Sequence, residues 1–484
     1  MHRAAVLLTV LASSLAFAGS ASPALRVGVA DDFGTHADNS PWFLDHLGEL
    51  GMTENRISVN FDATSPTTIP GQLALDAYVP LATLRGVRLV FSVAPAKAKG
   101  ISDNPGAVAL YAEYVAMLAR TYPSVKDFIV GNEPNQPRFW QPQFSAGENV
   151  SSSTYFQLLA AAYDSLKAVD PSIRVIGVGL SPRGNDQPRA ANNVSTSPVR
   201  FIQGLGRAYR ASGRTRPIMD ELAFHPYPDH DTDPLMKGYR WPNAGIPNLG
   251  RIKQAVWDAF RGTAQPLFPE GTRSGGLRFR LDELGWQVAV DAAPAGAYHG
   301  RENVRPTDEH AQAGIYGEAI RYLACDASVD SMLFFLLRDE PDLDRWQAGL
   351  VRADGTRRPS FDAVRAGIAQ TAGRCPGALR PWRHTTRVEG ARVRWPARLR
   401  LPARRLTLAV VANAEEDARF EAVLLNARGR RVLAQRGAVA AYRSKIVRFS
   451  LRFRPGRYSF RVTLRAALNP ARKSSFSAPL RITR

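Results

Sequence analysis

From Leu25 to about Thr371 the chain alternates short apolar runs with longer segments in which apolar positions recur every three to four residues. The runs are Leu25 to Asp31, Arg56 to Phe61, Arg88 to Ala94, Asp127 to Asn132, Arg174 to Leu180, Glu221 to His225, Arg278 to Asp282 and Ser331 to Leu337. Most are unbroken rather than alternating, the texture of parallel strands buried on both faces. Helical patterns lie between them at Gly106 to Arg120, Tyr155 to Val169, Pro198 to Arg210, Leu249 to Arg261, Asp308 to Leu323 and Pro359 to Gln370. Ser153-Thr154, Asn248 and Thr307-Asp308 stand where helix N-caps belong. Eight strand and helix pairs over about 350 residues favour a (β/α)8 TIM barrel over an open doubly wound sheet.

After Cys375 the period shortens. Alternating runs at Arg405 to Val411, Phe420 to Leu425, Val432 to Gln435, Ser444 to Leu451, Tyr458 to Leu464 and Phe476 to Ile482 are separated by turn residues such as Arg428-Gly-Arg430 and Pro455-Gly456. This spacing predicts a small all-β sandwich of immunoglobulin-like character. The expected division is a signal peptide over 1–24, a barrel over 25–375, a linker over 376–402 and a basic sandwich over 403–484.

Charge sharpens the division. Residues 376–484 hold 26 Lys and Arg against 5 Asp and Glu, or +21, whereas residues 1–375 hold 37 against 38. So basic a domain is drawn to polyanions. It either engages an acidic cell-wall or surface polymer, or a membrane surface, or serves as a charged spacer. Nucleic acid is not expected, because arginines alternate with apolar residues in Arg448-Phe-Ser-Leu-Arg-Phe-Arg454 and so line a solvated sheet face.

The N-terminus, with Met1-His-Arg before an apolar run to Ala18 and small residues at Ala21 and Ala24, reads as a secretory signal. A secreted or cell-surface protein is expected, with no transmembrane anchor. In that compartment Cys325 and Cys375 read as one disulfide, the alternative being two buried thiols. No Cys/His spacing fits structural zinc. Phosphate-binding loops are missing too, since Val27-Gly-Val-Ala-Asp31 runs into Asp32 and no Walker lysine occurs, so nucleotide chemistry is not expected.

Two strand ends carry carboxylates. Phe128-Ile-Val-Gly-Asn-Glu-Pro-Asn135 delivers Glu133 where proline ends regular pairing, and Leu277-Arg-Phe-Arg-Leu-Asp-Glu-Leu-Gly-Trp286 delivers Glu283 at the seventh strand. In a barrel, strands four and seven face one another at the C-terminal mouth, where active sites form. Two carboxylates about 5 Å apart are what glycoside hydrolysis with retention requires. Glu221 is a rival carboxylate at the wrong end of its strand. Loops 137–144 and 229–247 offer Phe139, Trp140, Tyr239 and Trp241 as sugar-stacking rings, and Trp286 follows Glu283 by three residues.

Asn132-Glu133-Pro134, His225-Pro-Tyr227 and Glu283-Leu-Gly-Trp286, in that strand order, resemble the clan of retaining (β/α)8 glycoside hydrolases that includes families 5, 39 and 51. The Gly-Asn-Glu-Pro-Asn form is most similar to family 39. The resemblance covers roughly residues 25–371. It implies Glu133 as acid/base, Glu283 as nucleophile and Asn132 as a hydrogen-bond partner of the sugar 2-hydroxyl. It further implies that Tyr227 touches Glu283, that His225 lines the same wall and that Arg56 sits under the nucleophile and keeps it ionised. No metal or organic cofactor is expected. The eighth strand departs from the family, reading Phe334-Phe-Leu-Leu-Arg-Asp-Glu-Pro341 with no tryptophan before Trp346, and Val93-Ala-Pro-Ala96 lacks the third-strand histidine. The competing reading is a carbohydrate-binding surface protein with an inactive barrel and a basic anchoring domain.

Overall fold

The computed structural model describes residues 24–271, 273, 275–290, 295–395, 398–400, 406–451 and 454–483. The expected signal segment therefore lies outside the described residues, Ala24 excepted. Eight strands form a closed parallel barrel: β1 (Arg26–Ala30), β2 (Glu54–Phe61), β3 (Arg88–Pro95), β4 (Asp127–Val130), β5 (Arg174–Leu180), β6 (Glu221–Phe224), β7 (Arg278–Leu284) and β8 (Val329–Phe334). Each strand pairs with its sequence neighbours, and β8 closes on β1 through Arg26 opposite Ser331 and Val29 opposite Phe334. Around them run α1 (Ser40–Leu50), α2 (Gln72–Leu84), α3 (Ala107–Thr121), α4 (Ser151–Val169), α5 (Pro198–Ala211), α6 (Leu249–Phe260), α7 (Glu309–Leu323) and α8 (Pro359–Thr371). The fold is thus the expected (β/α)8 barrel. For α1 and α2 the sequence offers no comparably bounded segment, and α2 even carries Pro80 within it.

The barrel interior is layered. At the base Arg280, wholly buried, reaches Glu54 at 2.9 Å, Glu221 at 2.8 Å and Asp127 at 3.4 Å. Burial, opposed by Arg280 and Arg88, lifts the Asp127 carboxyl to about 6. Above this lies an apolar layer of Val90, Ile129, Ile176 and Ala223. Inward positions recur every second residue along a strand. The same parity that sends Arg280 into the base therefore sends Asp282 to the mouth, and that of Glu54 sends Arg56 there.

Eight more strands follow: β9 (Arg392–Arg394), β10 (Arg398–Arg400), β11 (Leu406–Asn413), β12 (Ala418–Asn426), β13 (Arg431–Val439), β14 (Ser444–Leu451), β15 (Gly456–Ala466) and β16 (Lys473–Thr483). They form a three-stranded sheet, β9-β11-β14, and a five-stranded sheet, β10-β16-β15-β12-β13. Phe420, Leu424, Phe449, Phe460, Val462 and Leu464 fill the space between them. This is the expected sandwich. The segment 376–402 is more than a linker: it supplies β9 and β10, pairs Trp382 with Gly271, and stacks His384 on Trp257 at 4.0 Å. Cys325 and Cys375 form a disulfide joining the end of α7 to the segment after α8. Among the described residues no helix is long and apolar enough to cross a membrane.

The two domains meet through buried charge. Arg472 bridges Asp258 of α6 at 2.9 Å and Glu416 at 2.8 Å, and Asn469 donates to Asp258 at 2.7 Å. Arg200 of α5 pairs with Asp417 at 3.0 Å, and the Tyr442 hydroxyl accepts the Trp241 N–H at 3.1 Å.

Candidate active site

At the end of β4 the chain turns sharply. Gly131 has φ +80, and a Cβ there would stand 3.1 Å from the Tyr155 ring. Glu133 itself adopts φ +37, a left-handed conformation that costs a non-glycine residue about 1 kcal/mol or more. Neighbouring bonds hold it there. The Glu133 N–H donates to the Gly179 carbonyl at 2.9 Å, and the Asn135 amide, fully buried, donates to the Ser181 and Thr196 carbonyls at 3.1 and 2.9 Å. The Asn-Glu-Pro-Asn sequence thus works as a unit: Asn135 pins the turn that aims Glu133.

His225, one residue beyond β6, is completely buried at the centre of the mouth. Its Nδ1 lies 3.0 Å from Glu133 Oε1 and 3.3 Å from Glu283 Oε2, while its Nε2 lies 3.2 Å from Asp282 Oδ2. Burial alone would disfavour the imidazolium, but Glu283, Asp282 and the bond to Glu133 outweigh it and raise the pKa well above the usual value. The charged ring can donate from both nitrogens. A carboxylate oxygen of Glu133, one of Glu283 and a ring nitrogen of His225 all lie within 4.8 Å of one another. That is metal-ligand spacing as well, although a raised imidazole pKa works against metal binding.

Arg56 forms the floor. Its Nη1 reaches Glu283 Oε1 at 2.9 Å, its Nε lies 3.2 Å from Asp282 Oδ2, and its Nη2 donates to Asn132 Oδ1 at 2.8 Å and to Ser92 Oγ at 2.9 Å. Burial penalises Asp282, yet His225 and Arg56 together hold its carboxyl below the usual range. Tyr227 closes the other side, its hydroxyl donating to Glu283 Oε2 at 3.0 Å. Burial first, then the facing Glu283 and Glu133 carboxylates, push that phenol well up, so it remains a donor. Six expected residues, Glu133, Glu283, His225, Tyr227, Arg56 and Asn132, therefore converge on one cluster.

Two expected contacts do not join it. Trp286 is 2 % exposed, with its indole N–H donating to the Asp233 carbonyl at 2.9 Å. Trp140 is equally buried and donates to Thr154 Oγ1 at 3.0 Å. Neither offers a ring face to a ligand: Trp140 packs on Tyr155 of α4, and Trp286 is covered by Tyr316 of α7 and the loop after β6. Tyr239 and Trp241 are also largely covered, Tyr239 donating to the Tyr227 carbonyl at 3.0 Å. Glu221 belongs to the Arg280 base and not to the mouth.

Three residues escaped the sequence reading. Asp282 was passed over as the neighbour of Glu283, though strand parity marks it as inward. Phe335 and Trp346 supply the aromatic wall that the eighth strand lacks: Trp346 folds back to lie 4.9 Å from Tyr227 and 5.4 Å from Phe335, ring to ring. Both stay partly exposed.

No protein-family model matches the chain, and no curated protein matches its sequence. Solved structures do. A family 39 glycoside hydrolase from the gut symbiont Bacteroides cellulosilyticus is 14 % identical, with 88 % of this chain and 81 % of that chain covered at a TM-score of 0.50. A glucosidase from Croceicoccus marinus is 14 % identical over 89 % of this chain and 94 % of its own, at 0.48. A monomeric beta-xylosidase from Caulobacter crescentus is 14 % identical over 92 % and 96 %, at 0.43. At such identities the likeness is one of fold.

Proposed function

We propose that the protein is a secreted O-glycosyl hydrolase that cleaves a poly- or oligosaccharide with retention of configuration. The observation that carries this reading is the approach of Glu133 and Glu283 oxygens to within 4.8 Å. Retaining enzymes need carboxyl groups about 5–5.5 Å apart, whereas inverting enzymes leave roughly 6.5–9.5 Å for a water. Protonated Glu133 gives its proton to the glycosidic oxygen as Glu283 attacks the anomeric carbon and forms a glycosyl ester. Glu133, now a carboxylate, takes a proton from water, which attacks the same carbon and releases Glu283.

Arg56 and Tyr227 hold the two Glu283 oxygens, one each, and so aim the nucleophile. Asn132, fixed by Arg56, is placed to bond the sugar 2-hydroxyl. Phe335 and Trp346 serve as the platform for a sugar face. The basic tail domain engages a polyanionic cell-wall or surface polymer, supported by its charge of +21.

The test is a screen of aryl glycosides and plant or microbial polysaccharides with wild type, Glu133→Gln and Glu283→Gln. Loss of turnover in both variants supports the assignment. Turnover indifferent to either substitution sinks it, and glycan binding without turnover in wild type favours an inactive, carbohydrate-binding barrel.

A further inference from the structure

The outer face of the five-stranded sheet carries cations in register. Arg419 of β12 stands directly opposite Arg465 of β15, which stands directly opposite Lys473 of β16. Directly opposed side chains lie roughly 4.5–5.5 Å apart at Cβ, and like charges so placed repel. A second opposed pair, Arg457 and Arg481, lies at the other end of the same two strands, and Arg461 sits between them on the same face of β15. All six are exposed. Among the described residues, the one acid on this face is Glu421, and Arg436 takes it with bonds of 2.9 and 2.7 Å.

Opposed cations without counter-charge weaken a sheet, so their neutralisation by an external anion is favourable. The other sheet differs. There Arg392 faces Asn413, Arg394 faces Val411 and Arg448 faces Ala409, each cation opposite a neutral residue. The charge of the tail domain is therefore concentrated by strand register on one face and dispersed on the other.

We propose that this face binds a linear polysaccharide bearing carboxylates, laid along β15. The proposal rests on, and narrows, the reading of the tail domain as a polyanion-binding module. Arg457, Arg461 and Arg465 recur every fourth residue, roughly 13 Å apart along the strand. An extended polymer with regularly repeated anionic groups meets that ladder; a single small anion meets only one rung. A groove of about 750 Å³ opens beside the triple row, lined by Arg419, Glu421, Arg436, Thr463 and Arg465. Beneath the groove Phe420 packs so closely on Gly437 that a Cβ there would stand 2.7 Å from its ring. Thr463 and Ser475, with hydroxyls 3.2 Å apart, offer partners for sugar hydroxyls between the cations.

Arginine forks match carboxylates in pairs of parallel bonds. Single-stranded nucleic acid is held by aromatic platforms interleaved with cations, and the outward positions of β12, β15 and β16 include no aromatic residue. Of apolar residues β12 contributes only Val423 and Leu425 to this face, both half-buried, too few to seat a protein in a bilayer interface.

The experiment uses the full chain and reads binding, not turnover, so it is independent of the active site. Retention on polygalacturonate is measured at fixed ionic strength, with neutral pullulan, duplex DNA and anionic phospholipid vesicles as parallel arms. A triple variant, Arg419→Gln, Arg465→Gln and Lys473→Gln, is compared with one of equal charge loss on the other sheet, Arg392→Gln, Arg394→Gln and Arg448→Gln. Circular dichroism confirms that both fold. Polygalacturonate binding weakened roughly tenfold or more by the first triple and little by the second supports the proposal. Equal weakening by both overturns the assignment of the face while sparing the polyanion reading. No binding by wild type overturns both, and DNA or vesicles bound as tightly through the same row overturn the carbohydrate occupant.

Discussion

The Tyr227 hydroxyl donates to Glu283 Oε2 at 3.0 Å while Arg56 Nη1 holds Oε1 at 2.9 Å, so the two oxygens of one carboxylate have separate anchors. A hydrogen bond to a charged group is worth about 1.5–3 kcal/mol. Tyr227→Phe is accordingly expected to lower kcat about 10- to 100-fold, with a smaller change in KM, in steady-state assays on any substrate the screen identifies. An unchanged kcat would show that Arg56 and His225 suffice to aim Glu283.

Aromatic contacts to substrate divide sharply by exposure. Trp346→Ala removes a ring face at the mouth and is expected to raise KM roughly fivefold, the equivalent of about 1 kcal/mol. Trp286→Phe instead removes a buried indole and its bond to Asp233, so it lowers thermal stability by about 1 kcal/mol or more and leaves KM alone. The opposite pattern would return Trp286 to the substrate side.

Stability should depend on pH in two ways around His225. The imidazole pKa is raised in the fold, so its stabilisation is complete below the unfolded value near 6.5 and fades as pH climbs through the folded value. The Asp282 pKa is depressed, so its stabilisation is complete above the unfolded value near 3.9 and fades as pH falls through the folded one. Melting temperatures across pH 3 to 10 are predicted to show wild type exceeding His225→Gln most at about pH 6 and below, with the gap shrinking on the alkaline side. Against Asp282→Asn the gap should shrink on the acid side.

At the barrel base, Arg280 is shared by Glu54, Asp127 and Glu221. Arg280→Met would leave three buried acids without their common cation, a loss expected to cost about 3–5 kcal/mol in urea unfolding. The mouth lies a full apolar layer away, so substrate affinity of the folded fraction should hold.

The order of the barrel strands was legible because a strand covered on both faces must be apolar throughout, and eight such runs stand out between helical patterns. Glu133 and Glu283 were legible for the same reason: each ends a run at a turn. Which way a ring points beyond a strand end is another matter. Trp286 follows Glu283 by three residues, yet the chain has left the barrel by then and folds the indole under Asp233. Trp346 lies twelve residues past the end of β8 and returns to the mouth only through the tertiary path of its loop, which no local pattern encodes. Strands β9 and β10 are not legible because three residues apiece, two of them arginines, carry too little periodicity to separate from a linker.

The bonds from Arg472 and Asn469 to Asp258, and from Trp241 to Tyr442, anchor the sandwich to the barrel at several points and not by a tether. On the proposed reading, a polymer held on the arginine face would be presented to the barrel mouth at one fixed separation. Its effective concentration there is near zero until the chain is long enough to span that separation. On the proposed function, attachment should therefore favour long substrates with a threshold in length, so that the molecule measures the polymer it binds.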